Sequence, residues 1–220
     1  MSKDKSKAPS QRTTVRQSAN RAVYDIEKIK QILDDALIAT VSISVDNEPF
    51  VVPMAIARIG DFVYLHGLKT SRLMMQLAQG APVCICVTHV DGIIVARSGM
   101  HCSANYRSVV IHGQGTSIEG EEKARLLHEV VYRIIPGSEG DYREHLRKEL
   151  KATTLIAIPL NESASKIRTG GPIDDEADIS LPYWAGEIPV KQVYGEPIPS
   201  ADLPEGIETP DYARHYTRPT

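Results

Sequence analysis

The chain has 220 residues, 42% of them hydrophobic and 24% charged, with a formal net charge of −3. That composition supports one substantial globular core, gives no general reason to expect nucleic acid as a partner, and contains no apolar run long enough to cross a bilayer. Cys84, Cys86 and Cys102 are too few and too irregular for a disulfide scaffold, and the polar N-terminus lacks the apolar segment of a secretory signal, so a reducing cytoplasm is expected.

Residues 1–20 form a basic, Ser-containing leader, expected to be a flexible arm or to lie on a partner. From Asp25 the pattern changes. Ile26, Ile29, Leu33 and Leu37 recur at helical spacing behind a suitable N-cap, which predicts an amphipathic helix. Ile38 to Val45 alternates as a half-exposed strand, and Asp46-Asn47-Glu48-Pro49 is a turn. Phe50 to Arg58 reads as a strand interrupted by Pro53. A proline there marks an edge, a bulge, or a place where something else meets the backbone.

Phe62 to Leu68 is the next strand, and Gly67 leads into Lys69-Thr70-Ser71-Arg72 at the start of a short helix with Leu73, Met74 and Leu77 on one side. Helix starts carry unpaired amide donors, and two cations and two hydroxyls are added here, which suits an anion such as a phosphate. The plainer reading is a strand-to-helix turn capped by Thr70 or Ser71, with solvated cations.

Pro82 to His89 is an apolar strand. Asp91-Gly92 predicts a hairpin, with Ile93 to Ala96 pairing back. Asn105 to Ile118 is a further strand region, Glu121 to Ile135 a helix, Asp141 to Leu150 a short charged helix, and Thr153 to Leu160 a strand that Lys166-Ile167-Arg168 extends. Beyond Gly170, proline, glycine and acids dominate. Trp184 is the apolar anchor there, and residues 191–220 read as an extended tail. Short strands punctuated by turns and joined to a few helices predict a mainly β fold with α elements: a small closed or split β-barrel with helices packed outside. One domain over residues 21–190 carries two arms.

Cys84 and Cys86 share a strand face near His89, but no second ligand pair accompanies them, so buried thiols rather than a metal site are expected. The seven histidines are scattered, and no Ser-His-acid set can be picked out. Asn105-Tyr106-Arg107-Ser108 groups an amide, a phenol, a guanidinium and a hydroxyl, enough for a polar ring or a phosphate, or simply a polar strand entry. Trp184 suits either a core plug or a stacking group for a planar ligand.

Five stretches in order resemble a known family: Asp46-Asn47-Glu48-Pro49-Phe50-Val51-Val52-Pro53-Met54-Ala55; Tyr64-Leu65-His66-Gly67 with Ser71-Arg72; Asp91-Gly92; Asn105-Tyr106-Arg107-Ser108-Val109-Val110 with Gly113; and Trp184-Ala185-Gly186 with Ile188-Pro189. Together they look like the flavin-nucleotide-binding branch of the pyridoxamine 5′-phosphate oxidase-like split barrels, the branch that also holds nitroimidazole-reductase-like proteins. The resemblance implies a homodimer with two FMN sites at its interface. Val52, Pro53, Met54 and Ala55 would offer backbone groups to the isoalloxazine edge, and Leu65, His66, Lys69, Thr70, Ser71 and Arg72 would hold the ribityl chain and phosphate. Tyr106, Arg107, Ser108 and Trp184 would come from the second subunit, with Lys166 beside them. The substrate-phosphate residues of a true pyridoxamine phosphate oxidase are missing from the tail. The expectation is therefore an FMN-dependent oxidoreductase of small-molecule substrate. Its alternatives are a non-catalytic flavin carrier or sensor, or a split barrel holding another planar cofactor such as haem or deazaflavin. Neither nucleic acid nor a membrane is expected as a partner.

Overall fold

The computed structural model describes residues 7–218. The first six residues of the expected N-terminal arm and the last two of the expected tail lie outside the described residues.

Eleven strands among these residues form two antiparallel sheets. The strands are β1 (Ala22–Val23), β2 (Ile38–Val45), β3 (Glu48–Ala55), β4 (Ala57–Ile59), β5 (Phe62–Leu68), β6 (Pro82–Val95), β7 (Ser103–Gln114), β8 (Thr116–Ile118), β9 (Thr153–Pro159), β10 (Ser163–Arg168) and β11 (Gly186–Pro189). The helices are α1 (Ile26–Asp35), α2 (Arg72–Ala78), α3 (Gly120–Ile134), α4 (Arg147–Ala152) and α5 (Asp211–Arg214). The larger sheet runs β1-β10-β7-β6-β2-β3 with β11 added to β6, and the smaller runs β4-β5-β9-β8.

Alternation decides which faces meet. Val41 and Ile43 of β2, Val83, Ile85 and Val87 of β6, and Val109 and Ile111 of β7 point inward, against Val63 and Leu65 of β5 and Ile156 and Ile158 of β9. Ile29, Ile32 and Leu33 from α1, and Leu73, Met74 and Leu77 from α2, close the same core. A smaller core lies on the other face of the second sheet, where Leu126, Leu127 and Val130 of α3 cover Tyr64, Leu155 and Ala157. This is the split barrel with outside helices that the sequence predicts.

The chain passes between the sheets four times, twice across a single residue. At Ile56 the strand expected from Phe50 to Arg58 breaks into β3 and β4, and Ile56 N–H bonds to Leu37 O instead of continuing its ladder (3.1 Å). At Gly115 the chain crosses so close to Ile156 that a Cβ would collide with that side chain. Glycine is required there for the close approach.

The helix starts follow their caps. Asp25 Oδ1 accepts from Glu27 N at 2.9 Å, so α1 begins where the sequence places it. The charged helix expected over Asp141 to Leu150 is shorter and later, Arg147–Ala152.

The hairpin expected at Asp91-Gly92 does not form. β6 runs through to Val95 and pairs with β7 along its length, with a register shift between Val90 and Gly92. The physical reason is a bulge: an extra residue re-aims one side chain without reversing the strand. Asp91 is that residue, and its carboxylate reaches Arg107. A Cβ on Gly92 would meet the Glu187 side chain, which lies against it.

The C-terminal stretch returns to the body. The Tyr216 hydroxyl donates to Ile134 O at 2.5 Å, and the buried Arg218 guanidinium donates to Asp34 O (3.0 Å) and Ala36 O (2.9 Å) at the end of α1. The sequence shows no period here, because a cap made by one distant side chain leaves none.

Candidate functional site

Two of the expected segments meet at the edge of the larger sheet. β3 is the edge strand, paired only with β2. Phe50, Val52 and Met54 pack toward the core, while Pro53 and Ala55 lie on the outer face and the backbone edge is open. The Arg72 guanidinium lies 4.9 Å over the Phe50 ring, a cation–π contact. A Cβ on Gly67 would stand 3.0 Å from Met74 Cγ and 3.8 Å from Met54 Cε. β3, the end of β5 and the start of α2 are thus in contact.

The turn into α2 is built as a cap. Ser71 N bonds to Leu68 O (2.9 Å), and Ser71 Oγ accepts from Met74 N (3.2 Å). Lys69, Thr70 and Arg72 stay exposed, and no carboxylate pairs with Lys69 or Arg72 among the described residues. Two unpaired cations beside an exposed backbone edge make a place for an anionic group with a planar neighbour.

Other expected residues of this half are placed differently. Leu65 is fully buried, so its side chain belongs to the core and only its backbone is offered. His66 lies opposite Leu155, on the face covered by α3. Its Nδ1 is buried without a hydrogen-bond partner, and burial pushes its pKa below the ordinary value, holding the ring neutral at pH 7.

The second set lies across the sheet. Tyr106, Ser108 and Lys166 point to the outer face, with Ser108 opposite Lys166 and its Oγ donating to Lys166 O at 3.1 Å. β7 is separated from β3 by β6 and β2, a span of roughly 14 Å at ~4.8 Å per strand. One chain therefore does not bring the two sets together. Arg107 points the other way. Its Nε bonds to Asp91 (3.1 and 3.2 Å) and its Nη1 to Asp35 at 2.5 Å, so it is engaged inside its own chain.

Trp184 is 63% exposed, its ring lying against Gly186 just before β11. A buried polar network holds the base of this arm. Asn105 donates to Glu187 Oε1 (2.7 Å) and Gly170 O (3.1 Å), Arg168 donates to Asn105 Oδ1, and Arg97 pairs with Asp174 at 2.7 Å. Sequence reasoning missed Arg168, Asp174 and Glu187. The available signal was Asn105, an amide placed where the strand is otherwise turning apolar.

The outer face of β3, β2, β6 and β7 is uncharged: Val51 and Pro53; Ile38, Thr40 and Ser42; Cys84, Cys86 and Thr88; Tyr106, Ser108 and Val110. Ile38, Val51 and Val90 are each about half exposed. Cys84 and Cys86 are half-buried free thiols, and burial raises the Cys84 pKa. Among the described residues no group of three His, Cys, Asp or Glu could hold a metal ion, and no helix is long and apolar enough to cross a membrane.

Fold and site together define a split-barrel protein with an open edge and a cationic turn. The chain belongs to the pyridoxamine 5′-phosphate oxidase family, whose model matches residues 25–167. Among solved structures it is similar to the flavocytochrome Anf3 from Azotobacter vinelandii, at 36% identity and a TM-score of 0.89 over 94% of this chain and 96% of that one. It is also similar to an FAD- and haem-binding protein from Mycobacterium smegmatis, at 33% identity and a TM-score of 0.87 over 90% and 98%. A candidate 5-nitroimidazole antibiotic resistance protein from Bacteroides thetaiotaomicron shares the fold at 20% identity, with a TM-score of 0.55 over 66% and 86%. No curated protein matches the chain.

Proposed function

We propose that this protein binds a flavin nucleotide at the interface of a two-fold dimer and works as a flavin-dependent oxidoreductase on a small molecule. The observation that carries this reading is the pair of unpaired cations, Lys69 and Arg72, beside the open β3 edge. Arg72 and Lys69 would hold the phosphate nearest the ribityl chain, the Val52–Ala55 backbone would meet the ring edge, and Thr70 and Ser71 would add hydroxyl contacts. Ser108, Lys166, Tyr106 and Trp184 would reach the site from the second copy. The uncharged outer face supports that assembly, since a sheet face of Val, Thr, Ser, Cys and Ile gains by being covered. A bound flavin supplies the one- and two-electron chemistry; the chain's own residues bind it, orient it and exclude water.

FMN and FAD share the phosphate placed at Lys69 and Arg72. FMN follows from the charge for one phosphate at this turn, and FAD from the name of the Mycobacterium smegmatis relative. Haem is favoured as an additional group by that relative and by the histidines. His66 and His145 each bury a ring nitrogen that has no hydrogen-bond partner, and burial keeps both neutral, the state an iron ligand requires.

The experiment is an absorbance spectrum of the purified protein with acid release of its chromophores, followed by Arg72→Ala. Charge-assisted hydrogen bonds are worth about 1.5–3 kcal/mol, so flavin-nucleotide affinity should fall roughly ten- to a hundred-fold while riboflavin affinity holds. Equal affinity of the variant and the parent for FMN and FAD refutes the phosphate role. A Soret band lost in His66→Ala or His145→Ala, with flavin retained, assigns the iron ligand. A colourless protein that takes up neither group overturns the whole reading.

A further inference from the structure

The described part of the N-terminal arm is anchored to the body. Ser10 Oγ donates to Glu162 Oε2 at 2.5 Å, Val15 N donates to the Tyr24 hydroxyl at 2.9 Å, and Thr13 is 4% exposed. The arm folds over the outer face of β7 and β10 and roofs a cavity of about 240 Å³. Arg12, Thr14, Ser108, His112 and Lys166 line it, and no carboxylate does. Arg12 and Lys166 have no acidic partner among the described residues, whereas Arg58, Arg97 and Arg107 all do. The Ser108 and Thr14 hydroxyls already donate, to Lys166 O and Ser10 O, which leaves the two cations and the His112 ring among the donors of the lining side chains.

Arg12 and His112 also line an adjoining cleft of about 620 Å³. Gly113 and Gly115 form part of its wall, and Gln114, Asn161 and Glu162 also line it. Side-chain amides can both donate and accept, as the edge of a nucleobase demands. The small cavity is ample for a phosphate, and the larger cleft has the volume of an ordinary ligand pocket.

We propose that the arm-roofed cavity binds the 5′-phosphate of a nucleotide whose sugar and base occupy the adjoining cleft. Arg12 and Lys166 grip the phosphate, and Gln114 and Asn161 meet the base. Because Ser108 and Lys166 also belong to the flavin set, the proposal rests in part on the flavin reading. The nucleotide has two sources: the adenosine end of a dinucleotide flavin, or a separate nucleotide ligand.

The test titrates 5′-AMP by calorimetry onto the purified full chain, as isolated and after flavin is stripped, for the parent, Arg12→Glu and Asn161→Ala. Arg12 is an exposed residue outside the flavin set, and thermal unfolding checks that each variant is folded. Saturable AMP binding, weakened at least ten-fold by Arg12→Glu, is the expected result. Binding to the flavin-loaded protein without displacing flavin identifies a separate nucleotide; binding only after stripping identifies the flavin's own adenosine end. Absence of AMP binding to both forms, or unchanged binding in both variants, overturns the proposal. A protein that takes up no flavin yet binds AMP in an Arg12-dependent way refutes the flavin reading and leaves this site standing.

Discussion

Replacing Arg107 by alanine separates a structural role from a ligand-binding one. Its guanidinium joins Asp91 on the β6 bulge to Asp35 at the end of α1, with side chains 31%, 35% and 15% exposed. Removing one partner of a fully buried ion pair costs about 3–5 kcal/mol, and an exposed pair is worth roughly 0–1 kcal/mol. This cluster lies between those limits. Asp35 is its most buried member and already has one oxygen, Oδ1, buried without a partner, so it loses the most. The expected cost is about 2 kcal/mol. For a chain of this size that lowers the melting temperature by about 4–8 °C. Circular dichroism on the flavin-free protein measures it, and a fluorescence titration of the same sample measures flavin affinity, which should be retained. A variant that melts with the parent but no longer binds flavin would show that Arg107 serves the ligand and that the ion cluster is incidental.

Two further outcomes follow from the sheet and the histidines. Val51→Asp places a charge in the uncharged outer face without touching the core, so light scattering should report monomer for the variant and dimer for the parent, with unchanged circular dichroism; a dimeric variant would move the interface elsewhere. His66, His112 and His145 all have pKa values pushed below the ordinary 6.5, chiefly by burial. The unfolded chain therefore takes up protons first, and stability is full above pH 6.5 and falls as the pH drops through 6.5 toward the lowered values. Thermal unfolding from pH 8 to 5 should show the decline, and His66→Gln should reduce its slope; an identical slope would show that His66 does not contribute.

Local signals carried the sequence reading where one short stretch determines the outcome. Asp25 and Ser71 cap the helices they precede because each cap needs only its next three residues. Pro53 falls on an edge strand as its missing N–H suggests. The reading failed where a distant residue decides. Asp91-Gly92 carries the chemistry of a turn, yet continuous pairing with β7 and the approach of Glu187 hold the strand straight. The sequence also does not show that Leu65 lies in the core, that His66 shares the Tyr64 face of β5, or that Arg107 bonds to Asp35 and Asp91. Arg12 was invisible for a similar reason: a basic leader looks solvated until Glu162 and Tyr24 are seen to anchor it.

The two prolines of β3 have a consequence for solubility. An edge strand exposes a row of unpaired groups that can template a foreign strand. Pro49 and Pro53 lie opposite Ser44 and Thr40, four residues apart, so their nitrogens face the same side of the strand. Edge prolines are tolerated where the missing N–H would have faced away from the neighbouring strand. A strand arriving from another molecule would therefore find acceptors but no donors at these two positions, and could not zip along the edge. The chain can keep this backbone open to a ligand without making it a seed for cross-β growth, a protection that valine at both positions would remove.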